Sequence, residues 1–467
     1  MGVVFGGFVP HPPIIVPAVG KNNLAKAKNT VEGMRAWARE CVAHKPDTIV
    51  IISPHGPVFQ DAIMITAYRR ISGSLSGFGA PDVRVDTEND LSLVQAIAEE
   101  ARRRDISIGV LDQDLAKEFD IPLTLDHGSM VPLYFLSEAG FQGKVLPIAM
   151  GLLPRDQLYA FGMALREAMG KVEQAVALVA SGDLSHRLSP DAPAGYNPLG
   201  REFDAAVEQA FARWDIDAML NMDENLCETA GECGFRPLLM LAGAFDTSGV
   251  KSHVYSYEGP FGVGYMVASI TGEGEKQPPS EDRLTKYRRQ QQGHLQQVRQ
   301  NESIYVRFAR QTLEAYVREE ELPPIPAELS ASSPAGAFVS IKKKGQLRGC
   351  IGTIAPTQDN LGEEIRNNAI SAGVNDPRFF PVEAEELDDL VYSVDVLSPE
   401  EPIDSLNALD PQRYGVIVRY QGRQGLLLPM LDGVDTVEEQ VDIARQKAGI
   451  AEGAPMRLSR FEVIRHH

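Results

Sequence analysis

The chain has 467 residues, 43% hydrophobic and 23% charged, and its 45 Lys and Arg against 64 Asp and Glu leave a formal net charge of −19. That length exceeds one ordinary core, so two or three folded domains are expected. The negative charge repels phosphate backbones over most of the surface, so nucleic acid is not expected as a partner, and no apolar run approaches the ~18 residues that a membrane-spanning helix needs.

In chain order, Met1-Gly2-Val3-Val4-Phe5 lacks the basic segment of a signal peptide and predicts a first β-strand in a cytoplasmic protein. The runs Thr48–Ile52, Val145–Ala149 and Ala175–Ala180 predict further strands, with helices over Asp90–Arg104 and Arg155–Gly170 between them. Continuous apolar strands alternating with helices predict a layered α/β sheet, buried on both faces, over residues 1–271. Residues 272–300 are polar and carry a Pro-Pro pair, which predicts a linker leading into a polar helix. From 301 to 467 an amphipathic helix (Ile304, Val306, Phe308, Ala309, Leu313, Tyr316, Val317) precedes strands at Ala337–Lys342 and Leu390–Leu397, which predicts an α+β domain.

Nine histidines occur, and four share one context. His11 lies in Pro10-His11-Pro12-Pro13, His55 in Ser53-Pro54-His55-Gly56, His127 in Leu125-Asp126-His127-Gly128, and His186 in Ser181-Gly182-Asp183-Leu184-Ser185-His186. Three of them follow a predicted strand directly, and loops beyond strand carboxyl ends are where α/β sheets gather their ligand sites. Taken singly, each could be a structural histidine; four delivered to one crevice point to metal or proton chemistry.

A metal needs a third ligand, and Gly231-Glu232-Cys233-Gly234 enters an apolar helix. A helix N-terminus favours a thiolate and a bound metal deprotonates it, so Cys233 suits ligation; Glu232 offers a hard oxygen instead. Each also has a structural reading, Glu232 as a helix N-terminal charge and Cys233 as a small buried residue. The four cysteines include no CxxC pair, so neither a disulfide framework nor a zinc ribbon is expected.

The motifs PHPP, SPHG, LDHG and SGDLSH, in that order over residues 1–270, resemble the class III extradiol ring-cleavage dioxygenases of LigB type, and most closely their Memo-like branch. Gln346-Leu347-Arg348-Gly349-Cys350-Ile351-Gly352 and Asn375-Asp376-Pro377-Arg378-Phe379 resemble the AMMECR domain over about residues 300–465. Together the modules resemble two components of the AmmeMemoRadiSam system fused in one chain, which implies a radical-SAM protein as partner. The resemblance implies His11 and His55 as iron ligands and His127 and His186 as acid/base residues, with Asp126 or Asp183 available to orient a ring. It puts the third ligand, a Glu in the wider family, at Cys233, with Glu232 adjacent.

Two His and one carboxylate hold Fe(II) with open positions for a chelating substrate and O₂; a thiolate shifts preference toward copper or zinc. The expectation is therefore a non-haem Fe(II) oxygenase acting on a catechol-like or other bidentate small molecule. The alternative is a metal-binding or protein-modifying partner without ring cleavage. In the C-terminal half, Arg348, Asp376 and Arg378 predict an exposed polar patch for a partner or small ligand. No histidine lies between Asn301 and Arg465 to activate Cys350, so a thiol enzyme is not expected there.

Overall fold

The computed structural model describes residues 2–272, 281–343, 345–431, 434 and 436–467. Its contacts divide the chain into two compact units, Met1–Arg289 and Gln290–His467. The expected linker residues 273–280, with their Pro-Pro pair, and Lys344 lie outside the described residues.

The strands of the first unit are β1 (Gly2–Val9), β2 (Thr48–Ser53), β3 (Ile63–Thr66), β4 (Arg70–Leu75), β5 (Ala80–Glu88), β6 (Ile108–Leu111), β7 (Lys144–Ala149), β8 (Ala175–Ser181), β9 (Val250–Glu258) and β10 (Tyr265–Gly272). Eight form one sheet in the order β6-β3-β7-β2-β8-β1-β10-β9, and β4 pairs with β5 apart from it. The central strands β7, β2, β8 and β1 run parallel. Pro147 in β7 has no N–H to give, and β3 pairs with β7 only beyond it, at Ile148 and Ala149.

Because side chains alternate across a sheet, strands buried on both faces read as nearly continuous apolar runs. Val50 and Ile52 of β2 join one core, with Val176, Leu178 and Ala180 of β8. Ile49 and Ile51 join the other, with Ala177 and Val179. Helices Leu91–Arg103, Arg155–Lys171, Pro198–Arg213 and Phe235–Ala244 supply the first core, and Lys28–Ala43 and His127–Glu138 the second. Parallel pairing aligns the strand ends: Val9 lies opposite Ser181, Ile52 opposite Ala180, and Ser53 opposite Ala149. The loops carrying His11, His55, Asp183 and His186 therefore leave one edge of the sheet side by side.

The second unit contains β11 (Ala337–Lys343), β12 (Gln346–Gly352), β13 (Leu390–Leu397), β14 (Glu401–Ile403), β15 (Tyr414–Tyr420), β16 (Arg423–Leu427) and β17 (Arg457–His466). Their order is β12-β11-β13-β17-β15-β16, with β14 also on β17. The predicted amphipathic helix spans Ile304–Val317, capped by Ser303, and buries Val306, Phe308, Ala309 and Leu313. Tyr316, expected on that apolar face, is exposed. Gly345, at a φ of 82°, turns the β11–β12 hairpin in a left-handed conformation that only glycine adopts freely. Among the described residues, no helix is long and apolar enough to cross a membrane.

Candidate metal centre

The site assembles where three strand ends meet two helix starts. His11 follows β1 by two residues; its backbone N–H donates to Asp183 Oδ1 at 3.0 Å, and its Nδ1 lies 3.0 Å from Ser181 Oγ. His55 follows β2 by two residues, and its N–H donates to Ser53 Oγ at 3.2 Å. Ser53 Oγ in turn donates to Asp126 Oδ1 at 2.5 Å, and Asp126 caps the helix His127–Glu138 by accepting from Ser129 N at 3.1 Å. Local capping chemistry thus fixes His55 and His127 against each other, and their rings stack with centroids 4.3 Å apart.

Cys233 arrives on the turn before helix Phe235–Ala244. Gly234 N–H donates to Asp183 O at 2.9 Å. The two segments approach so closely that a Cβ on Gly182 would lie 2.1 Å from Gly234 Cα, so only glycine fits. This contact seats the thiol beside the imidazoles.

His11 Nε2 and His55 Nε2 are 2.9 Å apart, and Cys233 Sγ is 3.6 Å from His11 Nε2. The three ligand atoms all lie within 4.8 Å of one another. Such spacing fits atoms that each stand about 2.0–2.3 Å from one shared cation. His186 Nε2 lies 3.8 Å from Cys233 Sγ, outside the three-atom group. His11 is buried, Cys233 half-buried and His55 exposed, so the cluster opens to solvent on the His55 side.

Burial lowers the proton affinity of all four imidazoles. His11 falls well below the ordinary histidine range, with the charges of His55, His127 and His186 adding to the effect. Burial also lowers His55, and it lowers His127 and His186 with His55 contributing to both. Neutral imidazoles can ligate a metal or accept a proton. Burial, then the charge of Asp183, push the Cys233 thiol well above its usual range, so without a cation it keeps its proton. A bound cation reverses that balance. The donor set of two lone-pair nitrogens and a displaceable thiol proton fits a soft or borderline transition metal.

The other expected residues fall elsewhere. Glu232 is not among the clustered ligand atoms: its carboxylate accepts from Phe235 N at 2.6 Å, at the start of the following helix. Neither candidate aspartate orients an imidazole. Asp183 holds the His11 backbone, and burial pushes its carboxyl up to about 7 despite that bond, while Asp126 serves Ser53 and Ser129. Ser181, the first residue of SGDLSH and no site candidate by its type, stands against His11 Nδ1. Phe78, from the turn between β4 and β5, was equally unforeseen; it is exposed, with its ring 5.5 Å from that of His127. Phe78 reaches His127 through tertiary packing that no local pattern marks: Leu125 N–H donates to Ser72 O, and Leu125 and Met130 share a core with Ile71 and Leu75.

In the second unit the expected exposed turn is partly closed. Asp376 is buried and accepts from Cys350 N at 2.9 Å and from Arg378 Nε at 2.9 Å. Arg378 also donates to Cys350 O at 3.0 Å. Arg348 donates to Glu386 at 2.7 Å and to Phe380 O at 2.9 Å. The three patch residues are held by internal bonds because the turn doubles back onto the outer edge of β12.

Two family models match the chain, one within each unit. Residues 6–268 match the family described as catalytic LigB subunit of aromatic ring-opening dioxygenase, and residues 306–466 match AMMECR1. Protein CA_C1420 of Clostridium acetobutylicum is 39% identical over 462 residues, covering 98% of each chain. A Thermotoga maritima protein is 51% identical over 171 residues, 35% of this chain and 98% of its own. A solved structure, protein PH0010 of Pyrococcus horikoshii, is 31% identical, covering 34% of this chain and 88% of its own at a TM-score of 0.31. The chain belongs to the LigB family, its dioxygenase-like domain joined in one polypeptide to an AMMECR1 domain.

Proposed function

We propose that the LigB domain is a metal-dependent oxidoreductase whose ion is held by His11, His55 and Cys233, acting on a small molecule that chelates through two oxygens. The observation that carries this reading is the convergence of two imidazole nitrogens and one thiol within 4.8 Å at the ends of β1 and β2. Iron(II) is the ion assigned, with copper or zinc as alternatives; when bound, iron would supply one-electron chemistry toward O₂.

The chain's own residues supply the rest. A catechol-like substrate must lose a proton to chelate, and His186, neutral and beside Cys233, accepts it. His127, stacked on His55, stands ready to return a proton to an oxygen of the substrate. Asp183 positions the His11 backbone. A cytoplasmic location and a radical-SAM protein as partner belong to the same proposal, supported by the pairing of the two modules.

Cys233 itself favours a second reading. A thiol where the wider family carries a carboxylate lowers the hardness of the site, as suits a metal-binding or protein-modifying partner without ring cleavage. Oxygen uptake by the anaerobically iron-loaded protein, screened against catechols, separates the two. Uptake with a ring-opened product is expected; full metal occupancy with no uptake on any catechol would favour the second reading.

A further inference from the structure

The tautomer of His11 is set by a chain of groups that begins at a proline. In the helix His127–Glu138 the carbonyl of Gly128 would ordinarily accept from the N–H four residues on. That residue is Pro132, which has none. The freed carbonyl is buried and takes a hydrogen bond from Ser181 Oγ at 2.5 Å. Ser181 is itself fully buried and has one hydroxyl proton, now committed to an oxygen that can only accept. Among the described residues the other hydrogen-bond neighbour of Ser181 Oγ is His11 Nδ1, 3.0 Å away. With no proton left to give, Ser181 can only accept there, so Nδ1 carries the hydrogen.

We infer that Ser181, primed by the Pro132-orphaned carbonyl of Gly128, is a positioning residue that locks His11 as the Nδ1–H tautomer and so presents a bare Nε2 to the metal. This rests on the proposed metal reading for its purpose, but not for its geometry. Free imidazole side chains favour the opposite, Nε2–H form, which would put a proton where the ligand lone pair must be. The hydrogen bond made by one ring nitrogen decides which nitrogen ligates, and residues making such bonds tune metal affinity. β8 pairs in parallel with β1, Ser181 opposite Val9, and that register sets the hydroxyl beside a ring two residues beyond the strand end.

The tautomer can be read without metal and without substitution. In the metal-free full-length protein labelled with ¹⁵N-histidine, long-range ¹H–¹⁵N correlations above the ordinary histidine titration range should show His11 as Nδ1–H, assigned by its loss in His11→Gln. Ser181→Ala should move that resonance pair toward Nε2–H and weaken zinc(II) binding by about 10–100-fold, and Ser181→Thr, which keeps the hydroxyl, should restore both. Finding His11 as Nε2–H in the wild type would overturn the inference, as would an unchanged tautomer and unchanged zinc affinity in Ser181→Ala. A wild type that shows the Nδ1–H tautomer but binds no metal would support the lock and sink the proposed function instead.

Discussion

The two units each gather polar residues from signature motifs, and they treat them in opposite ways. In the AMMECR1 domain, Arg348, Asp376, Arg378 and Glu386 bond to one another and to nearby backbone, and Asp376 with Arg378 bonds both the N–H and the carbonyl of Cys350 on the outer edge of β12. This pair does for an edge strand what a further strand would do, closing it to unwanted pairing. In the LigB domain the imidazoles turn toward one another. Neither ring nitrogen of His127 meets a hydrogen-bond partner among the described residues, and His11 Nε2 meets His55 Nε2 at 2.9 Å across one shared proton, which a cation would replace. Motif residues that saturate each other build the fold, and motif residues that leave valence unfilled at one point are the ones to expect at a ligand.

The sharpest break of that contrast is the double substitution His11→Ala, His55→Ala. It should remove roughly stoichiometric metal completely in elemental analysis, while the same change at Arg348 and Arg378 should leave metal untouched. Next, His186→Ala should keep its metal and lose turnover on an identified substrate by about 10²–10⁴. Loss of metal equal to that of His55→Ala would make His186 a ligand and not a proton carrier.

Smaller effects belong to the saturated cluster. Asp376→Ala strands the Cys350 N–H and the Arg378 guanidinium, and should lower unfolding stability of the full chain by about 1–3 kcal/mol in urea. An unchanged midpoint would show that the β12 edge does not need its cap. Smallest is an acid effect at Glu386. Burial alone would raise its carboxyl, but hydrogen bonds from Arg348 and Lys343 outweigh burial and hold it down to about 2. A depressed carboxyl contributes stability that is complete above its unfolded value of about 4.3 and is lost as pH falls toward its folded value. Urea unfolding between those limits should therefore show a steeper acid loss in the wild type than in Glu386→Gln; parallel curves would contradict it.

Much of this was legible in the sequence because the relevant signals are periodic or positional. Apolar runs such as Thr48–Ile52 marked strands buried on both faces, and the histidines just past them marked the rim of a sheet. The roles of acids were not legible. Glu232 stands beside a ligand candidate and Asp126 and Asp183 near the acid/base candidates, yet each is drawn to a backbone N–H, because uncapped helix and loop ends compete for nearby carboxylates. Ser181 was hidden for the converse reason. Its partners, Gly128 and His11, are remote in the chain and meet it through the β1–β8 register and the helix in which Pro132 frees a carbonyl.

Whether Cys233 completes a two-histidine metal site is read most directly by X-ray absorption at the metal edge, without any substrate. Protein loaded anaerobically with zinc(II) or cobalt(II) should show one sulfur at about 2.3 Å and at least two imidazole nitrogens at about 2.0–2.1 Å, with the sulfur gone in Cys233→Ser. A wild-type shell of nitrogen and oxygen alone, or a sulfur that survives Cys233→Ser, would contradict the account.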